Sequence, residues 1–333
     1  MESQDHIESE IRNSQNFESQ SEINKQKFQI VNQVGIIYTI GAAIISQGGE
    51  IYIMIIEKFF SNYFKTNKAN VVLIGTLIVN QIIGTTIIFL FTKFIKKITI
   101  NKKKYGYKKY FANLSINGML LIIGSIIGYL FTFNFISLYY KNTSLSKDSF
   151  IDSSIKKSNK FLTIIVICIT GPIAEELIFR KFLIERLAIY SKTLAIFSSG
   201  IMFGIFHRNL YQLFGATFVG WAFAYSYVET GNIFIPISYH IIDNSFTVSL
   251  MFLYQDNIDI NNIRTKIFFI LSFIRIINAI VGIIILIIYR KKIKISGEEN
   301  KSGDKWKFFK SYGMWIFMFE GSILFFYYYS NIL

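Results

Sequence analysis

The chain has 333 residues, 52% of them hydrophobic and only 17% charged, with a formal net charge of +14 and a single cysteine. A soluble domain of this size carries about 25% charged residues. The composition therefore excludes an ordinary water-soluble enzyme and reads as one polytopic membrane domain. The lysines fall between apolar runs and not along one polar face, which argues against a nucleic-acid partner, and the lone Cys168 excludes a disulfide framework.

Residues 1–27 are rich in Glu, Ser, Gln and Asn and hold no run able to serve as a signal-peptide core. They read as a disordered cytosolic tail in which His6 is inert. Residues 28–330 read as one transmembrane domain. Apolar runs follow at 29–47, 70–92, 111–139, 161–179, 193–210, 212–228, 232–254, 267–289 and 312–329. Each approaches or exceeds the roughly 20 residues that a spanning helix needs. The predicted fold is all-α, a polytopic transmembrane helical bundle of eight or nine spans with an intramembrane active site. The piece 51–64 reads as a continuation of the first helix or as an interfacial segment, and the last run is interrupted by Glu320.

Lysines set the expected orientation. The segment 93–109 holds eight of them, and 290–310 holds seven with Arg290. With nine spans and a cytosolic N-terminus, both segments and the connector carrying Arg180, Lys181, Arg186 and Lys192 fall on the cytosolic side. The loop 140–160, with five lysines, runs against this order. The Ile-, Lys- and Asn-heavy usage points to a multi-pass protein of a prokaryotic cell membrane. Two small-residue pairs, Gly124 with Gly128 and Gly200 with Gly204, are expected to pack helices closely.

The chemistry concentrates in GPIAEELIFRKFL, residues 171–183, where Glu175 and Glu176 are adjacent and Arg180 follows one turn after Glu176. A charge at a bilayer centre costs roughly 2.5–3.5 kcal/mol, so the pair calls for partners. His207 follows Phe203 by four residues and Asn244 follows His240 by four, each pair on one helix face. Both histidines are expected near mid-span on separate helices, and Pro172 and Pro236 mark kinks of the kind that line a cavity. A bundle can bring all of these groups to one interior point. They include no Ser or Cys nucleophile with a local signature, but they suit hydrolysis by an activated water. A glutamate serves as general base, an imidazole shares that task or binds a metal, and a His–Asn pair donates to a developing oxyanion. Arg180 at i,i+4 is expected to tie up Glu176, leaving Glu175 as the base. The plainer alternatives are a structural Glu176–Arg180 salt bridge and histidines that only join helices. Phe203 reads as packing, and Arg275 and Glu320 as a mutually neutralising pair.

Taken in order, E-E-x-x-x-R, F-x-x-x-H and H-x-x-x-N resemble the CPBP intramembrane protease family, over about residues 160–250. That family includes type II CAAX prenyl endopeptidases and bacteriocin-processing or self-immunity proteins. The resemblance implies an endopeptidase acting in or beside the membrane, with Glu175, Glu176, His207, His240 and Asn244 as its catalytic set and Arg180 and Phe203 in support. In that scheme Glu175 and His207 activate the water, and His240 and Asn244 stabilise the oxyanion. The family is named as metalloproteases, and Glu175, His207 and His240 are a legal Zn2+ set. No HExxH helix is present, and of the two routes the metal-free glutamate mechanism is slightly preferred. The implied partners are membrane lipids and a peptide or protein substrate, lipidated or not. The competing reading is a non-enzymatic membrane protein that acts in bacteriocin self-immunity by binding.

Overall fold

The computed structural model describes the backbone of residues 2–139, 157–208, 210–254, 259–289 and 310–332, and side chains within 21–134, 157–208, 211–254, 259–289 and 310–323. The basic segment 290–309 and most of the loop 140–160 lie outside the described residues. What is described is helical, with no strand among those residues. We number the helices α1 (Glu2–Phe59), α2 (Ser61–Thr92), α3 (Tyr107–Tyr139), α4 (Lys160–Leu187), α5 (Lys192–Phe206), α6 (Leu210–Thr230), α7 (Phe234–Leu253), α8 (Ile263–Tyr289) and α9 (Tyr312–Ile332). Each predicted apolar run falls on one of these helices. Five of them, α1, α2, α3, α4 and α8, are long and apolar enough to cross a membrane. The fold is an all-α membrane helical bundle.

Two boundaries differ from expectation. The polar stretch expected to be a disordered tail continues helically, so that α1 begins at Glu2. Residues 1–27 contain neither Gly nor Pro and are rich in Glu and Gln alongside Ser and Asn. Once the apolar run has nucleated a helix, such residues extend it at little cost. The second difference concerns α5, which stops at Phe206 and leaves His207 as its C-cap instead of at mid-span. The stop is set by Arg208, whose φ of 52° lies in the left-handed region. That conformation ends a helix and is uncommon outside glycine. Tertiary contacts hold it there: Arg208 Nη2 donates to Ala42 O at 2.7 Å and lies 3.7 Å from Glu320 Oε1.

α6 sits at the centre, packed against α3 on one side and α5 on the other. Three of the four predicted small residues, Gly124, Gly200 and Gly204, lie at these two crossings. A Cβ added at Gly200 would stand 2.1 Å from Trp221 Cδ1, and one at Gly204 would stand 2.0 Å from Thr217 Oγ1. Gly124 meets Gly215 of α6 in the same way. The core around these crossings is aromatic, with Tyr38, Phe179, Phe203, Phe223, Tyr227 and Tyr239 fully buried. The basic loop 93–106 passes beneath the ends of α4 and α6, with Ile98 N donating to Glu185 O and Lys103 N to Thr230 O. The lysine-rich loop and the basic end of α4 therefore lie on one side of the bundle.

Candidate active site

The site begins at a wide turn in α4. Over Ile164–Thr170 the backbone follows an i→i+5 pattern, and Gly171 N–H closes it on Val166 O. The next amide in that register would serve Ile167 O, but residue 172 is proline and has no N–H to give. Asn244 Nδ2 of α7 donates to Ile167 O instead, at 2.9 Å. From α2, Gln81 Nε2 donates to Val166 O at 2.8 Å, and Gln81 Oε1 accepts from Thr170 Oγ1 at 2.5 Å. Side chains from two neighbouring helices thus replace the hydrogen bonds that the kink disturbs. Wide turns of this kind occur often at functional sites.

One turn further on, Glu176 and Arg180 are both fully buried. Arg180 Nε lies 2.9 Å from Glu176 Oε2, an ion pair set off the hydrogen-bonding direction. Arg180 also donates through Nη2 to Gly220 O at 3.3 Å, and its guanidinium lies over the rings of Phe203 and Phe223, 4.6 and 5.5 Å from their centroids. Aromatic faces attract a desolvated cation, so Arg180 is held by more than Glu176.

The second oxygen, Glu176 Oε1, accepts from His240 Nδ1 at 2.9 Å. A carboxylate kept ionised by a guanidinium can only accept, which places a proton on Nδ1 and turns Nε2 the other way. On that side stands Glu175, with Oε2 3.6 Å from His240 Nε2. Glu175 is the more open of the two glutamates, its side chain 27% exposed against none for Glu176. The result is a linear array, Arg180–Glu176–His240–Glu175, that runs from the buried core to an accessible carboxylate.

The structure therefore groups Glu175, Glu176, Arg180, His240 and Phe203. His240, not His207, faces Glu175. His207 Nδ1 lies 2.8 Å from Phe203 O, on its own helix end, and its ring meets Phe203 edge-on at 4.8 Å. Phe203 also meets His240 edge-on at 5.7 Å, so it packs against both imidazoles and the guanidinium together. Asn244 faces a backbone carbonyl of α4. As for a metal, among the described residues no group of three His, Cys, Asp or Glu is placed to hold an ion, so Glu175, His207 and His240 do not fit a zinc set in this arrangement.

The expected Arg275–Glu320 pair does not form. Arg275 Nη1 of α8 lies 2.7 Å from Asp243 Oδ1, and Glu320 pairs with Arg208. Asp243 is buried beside His240 and Asn244, and no motif in the sequence marks it. An acid at membrane depth needs a cation, and Arg275 was the intramembrane arginine available to it. Gln81 and Tyr38 also carried no recognisable signal, although Tyr38 Oη donates to Ile178 O at 2.5 Å behind the glutamates.

Comparison with known proteins falls on the same stretch. Residues 157–246 match the model of a family described as type II CAAX prenyl endopeptidase Rce1-like. Over 90 residues the chain is 43% identical to YdiL of Bacillus subtilis (strain 168), a protein named as a candidate membrane peptidase. That stretch is 26% of this chain and 36% of YdiL. No solved structure matches.

Proposed function

We propose, from the match of residues 157–246 to the type II CAAX prenyl endopeptidase Rce1-like model, that the chain is an intramembrane endopeptidase and that Glu175 and His240 together activate the hydrolytic water. The observation that carries this reading is the array Arg180–Glu176–His240–Glu175, open at the Glu175 end. Arg180 keeps Glu176 ionised, and Glu176 fixes the His240 tautomer. The Nε2 lone pair and the Glu175 carboxylate then converge from 3.6 Å apart. Two acceptors at that separation suit one water placed within about 3 Å of both and donating a hydrogen to each.

In the reaction, the water oxygen bonds to the scissile carbonyl carbon and a proton passes to Glu175. As the C–N bond breaks, that proton goes to the departing amine. Asn244 uses one amide hydrogen on Ile167 O and keeps the other for the developing oxyanion. Phe203 and Phe223 keep bulk water from the Glu176 side. The substrate is a peptide segment presented at the membrane, with or without a lipid attached.

The test is a Glu175→Gln substitution, which preserves shape and removes the base. Membrane peptides from cells carrying wild-type or E175Q protein at equal abundance are compared by proteomics. The expected result is a set of cleavage products that vanishes with E175Q. An unchanged product set would remove the enzymatic reading and leave the binding alternative.

A further inference from the structure

On the far side of α6 from the glutamates lies a cavity of about 640 Å³ between α3, α5, α6 and α8. Its size is in the range of small-molecule sites, roughly 300–1,000 Å³. α6 separates it from the carboxylates: Gly220 O and Phe223 face Arg180 and His240, whereas Trp221, Ala222 and Tyr225 face the cavity. Lys108 and Lys109, exposed at the start of α3, stand at its mouth. Asn113 and Asn117 follow Lys109 on the same helix face, roughly 6 and 12 Å deeper at 1.5 Å per residue. Opposite this polar ladder the wall is apolar, with Ile196, Trp221 and Leu286.

The partners along the ladder change with depth. Lys109 reaches Glu229 only at 4.0 Å and is 52% exposed, a loose surface pairing. Asn113 Nδ2 donates to Tyr105 Oη. Asn117 is 1% exposed, and neither its Nδ2 nor its Oδ1 has a hydrogen-bond partner. Nearly all buried side-chain amides are satisfied, and leaving one unmade in apolar surroundings is costly. Asn117 borders the cavity through its other atoms, its amide being shut off from it.

We propose that this cavity holds one anionic phospholipid. The two lysines take the phosphate and an acyl chain lies along the apolar wall. Three features select that occupant over others. The mouth is cationic and lies at the basic edge of the bundle, where lysines gather anionic headgroups. The walls α3 and α8 are membrane-grade helices, so lipid surrounds them already. The apolar wall below the charge suits an acyl chain, which a free phosphate lacks.

The full-length protein is reconstituted in nanodiscs of phosphatidylcholine containing a minor share of phosphatidylglycerol, then moved into mild detergent, and retained lipid is read by native mass spectrometry. The expected result is one phosphatidylglycerol per chain, not displaced by excess glycerol phosphate. The pair Lys108→Gln/Lys109→Gln should lower retention about three- to tenfold, the equivalent of one or two lost hydrogen bonds. Both lysines are exposed, so the substitutions leave the fold intact. Equal retention of phosphatidylcholine, displacement by glycerol phosphate alone, or wild-type retention in the lysine variants would each overturn the proposal.

Discussion

Asn244 offers the sharpest perturbation, because its donor stands where Pro172 has none. In Asn244→Ala, Ile167 O loses the one donor it has from α7, and the wide turn offers no replacement. The net loss of such a bond is about 1 kcal/mol, and an unsatisfied buried carbonyl costs about 1–3 kcal/mol. Interhelical hydrogen bonds in membranes average about 0.6 kcal/mol and reach about 1.7. We expect N244A to lower stability by about 1–2 kcal/mol. Pro172→Ala restores an N–H in the register that serves Ile167 O, so in a P172A background the same Asn244 change should cost little. A double-mutant cycle should then show a coupling of about 1 kcal/mol. Unfolding by SDS in mixed micelles, followed by tryptophan fluorescence, measures all four proteins. A coupling of zero would refute the link between the proline and the asparagine. It would leave Asn244 with the oxyanion role alone, for which the signature is a loss of about 100- to 1,000-fold in kcat with stability unchanged.

Two further substitutions probe the buried charges. Arg180→Met strands Glu176 in a fully buried position, which should cost about 3–5 kcal/mol and largely abolish folded protein, while the R180M/E176Q double variant should recover monodisperse material on size exclusion. Asp243→Ala strands Arg275 at 13% exposure and should destabilise far more than Glu320→Ala, whose 3.7 Å partner Arg208 is more exposed and keeps its bond to Ala42 O; thermal melts of the two variants in detergent compare them directly.

Much of the bundle was legible because hydrophobic runs and helices share one cause, the need to satisfy every backbone group inside lipid. The three motifs were legible for the same reason: Glu175, Glu176, His207, His240 and Asn244 are expensive at membrane depth and stand out from their neighbours. What the sequence could not show was which expensive group meets which. Helical spacing puts Glu176 with Arg180, an intrahelical pair, and the structure agrees. Pairs between helices depend on rotation and depth, so Arg275 was matched with Glu320 when its partner is Asp243. The end of α5 was hidden because a left-handed Arg208 leaves no glycine or proline to mark it. His207 accordingly sits at a helix end while His240, within α7, takes the place beside the glutamates.

On the proposed mechanism, the charges around the glutamates favour Glu175 as the reactive group. Near the α4–α7 contact stand three carboxylates, Glu175, Glu176 and Asp243, and two guanidiniums, Arg180 and Arg275. Each guanidinium contacts one of the buried acids directly, Arg180 with Glu176 and Arg275 with Asp243. The third acid, Glu175, lies 3.6 Å from His240 Nε2. A proton can move between Glu175 and His240 Nε2 without changing the net charge of that pair, so the low-dielectric surroundings oppose the transfer little. The same transfer at Glu176 would break a compensated ion pair in a fully buried place. In this reading burial sorts two adjacent and chemically identical side chains: the one paired with a guanidinium anchors the histidine, and the other moves protons.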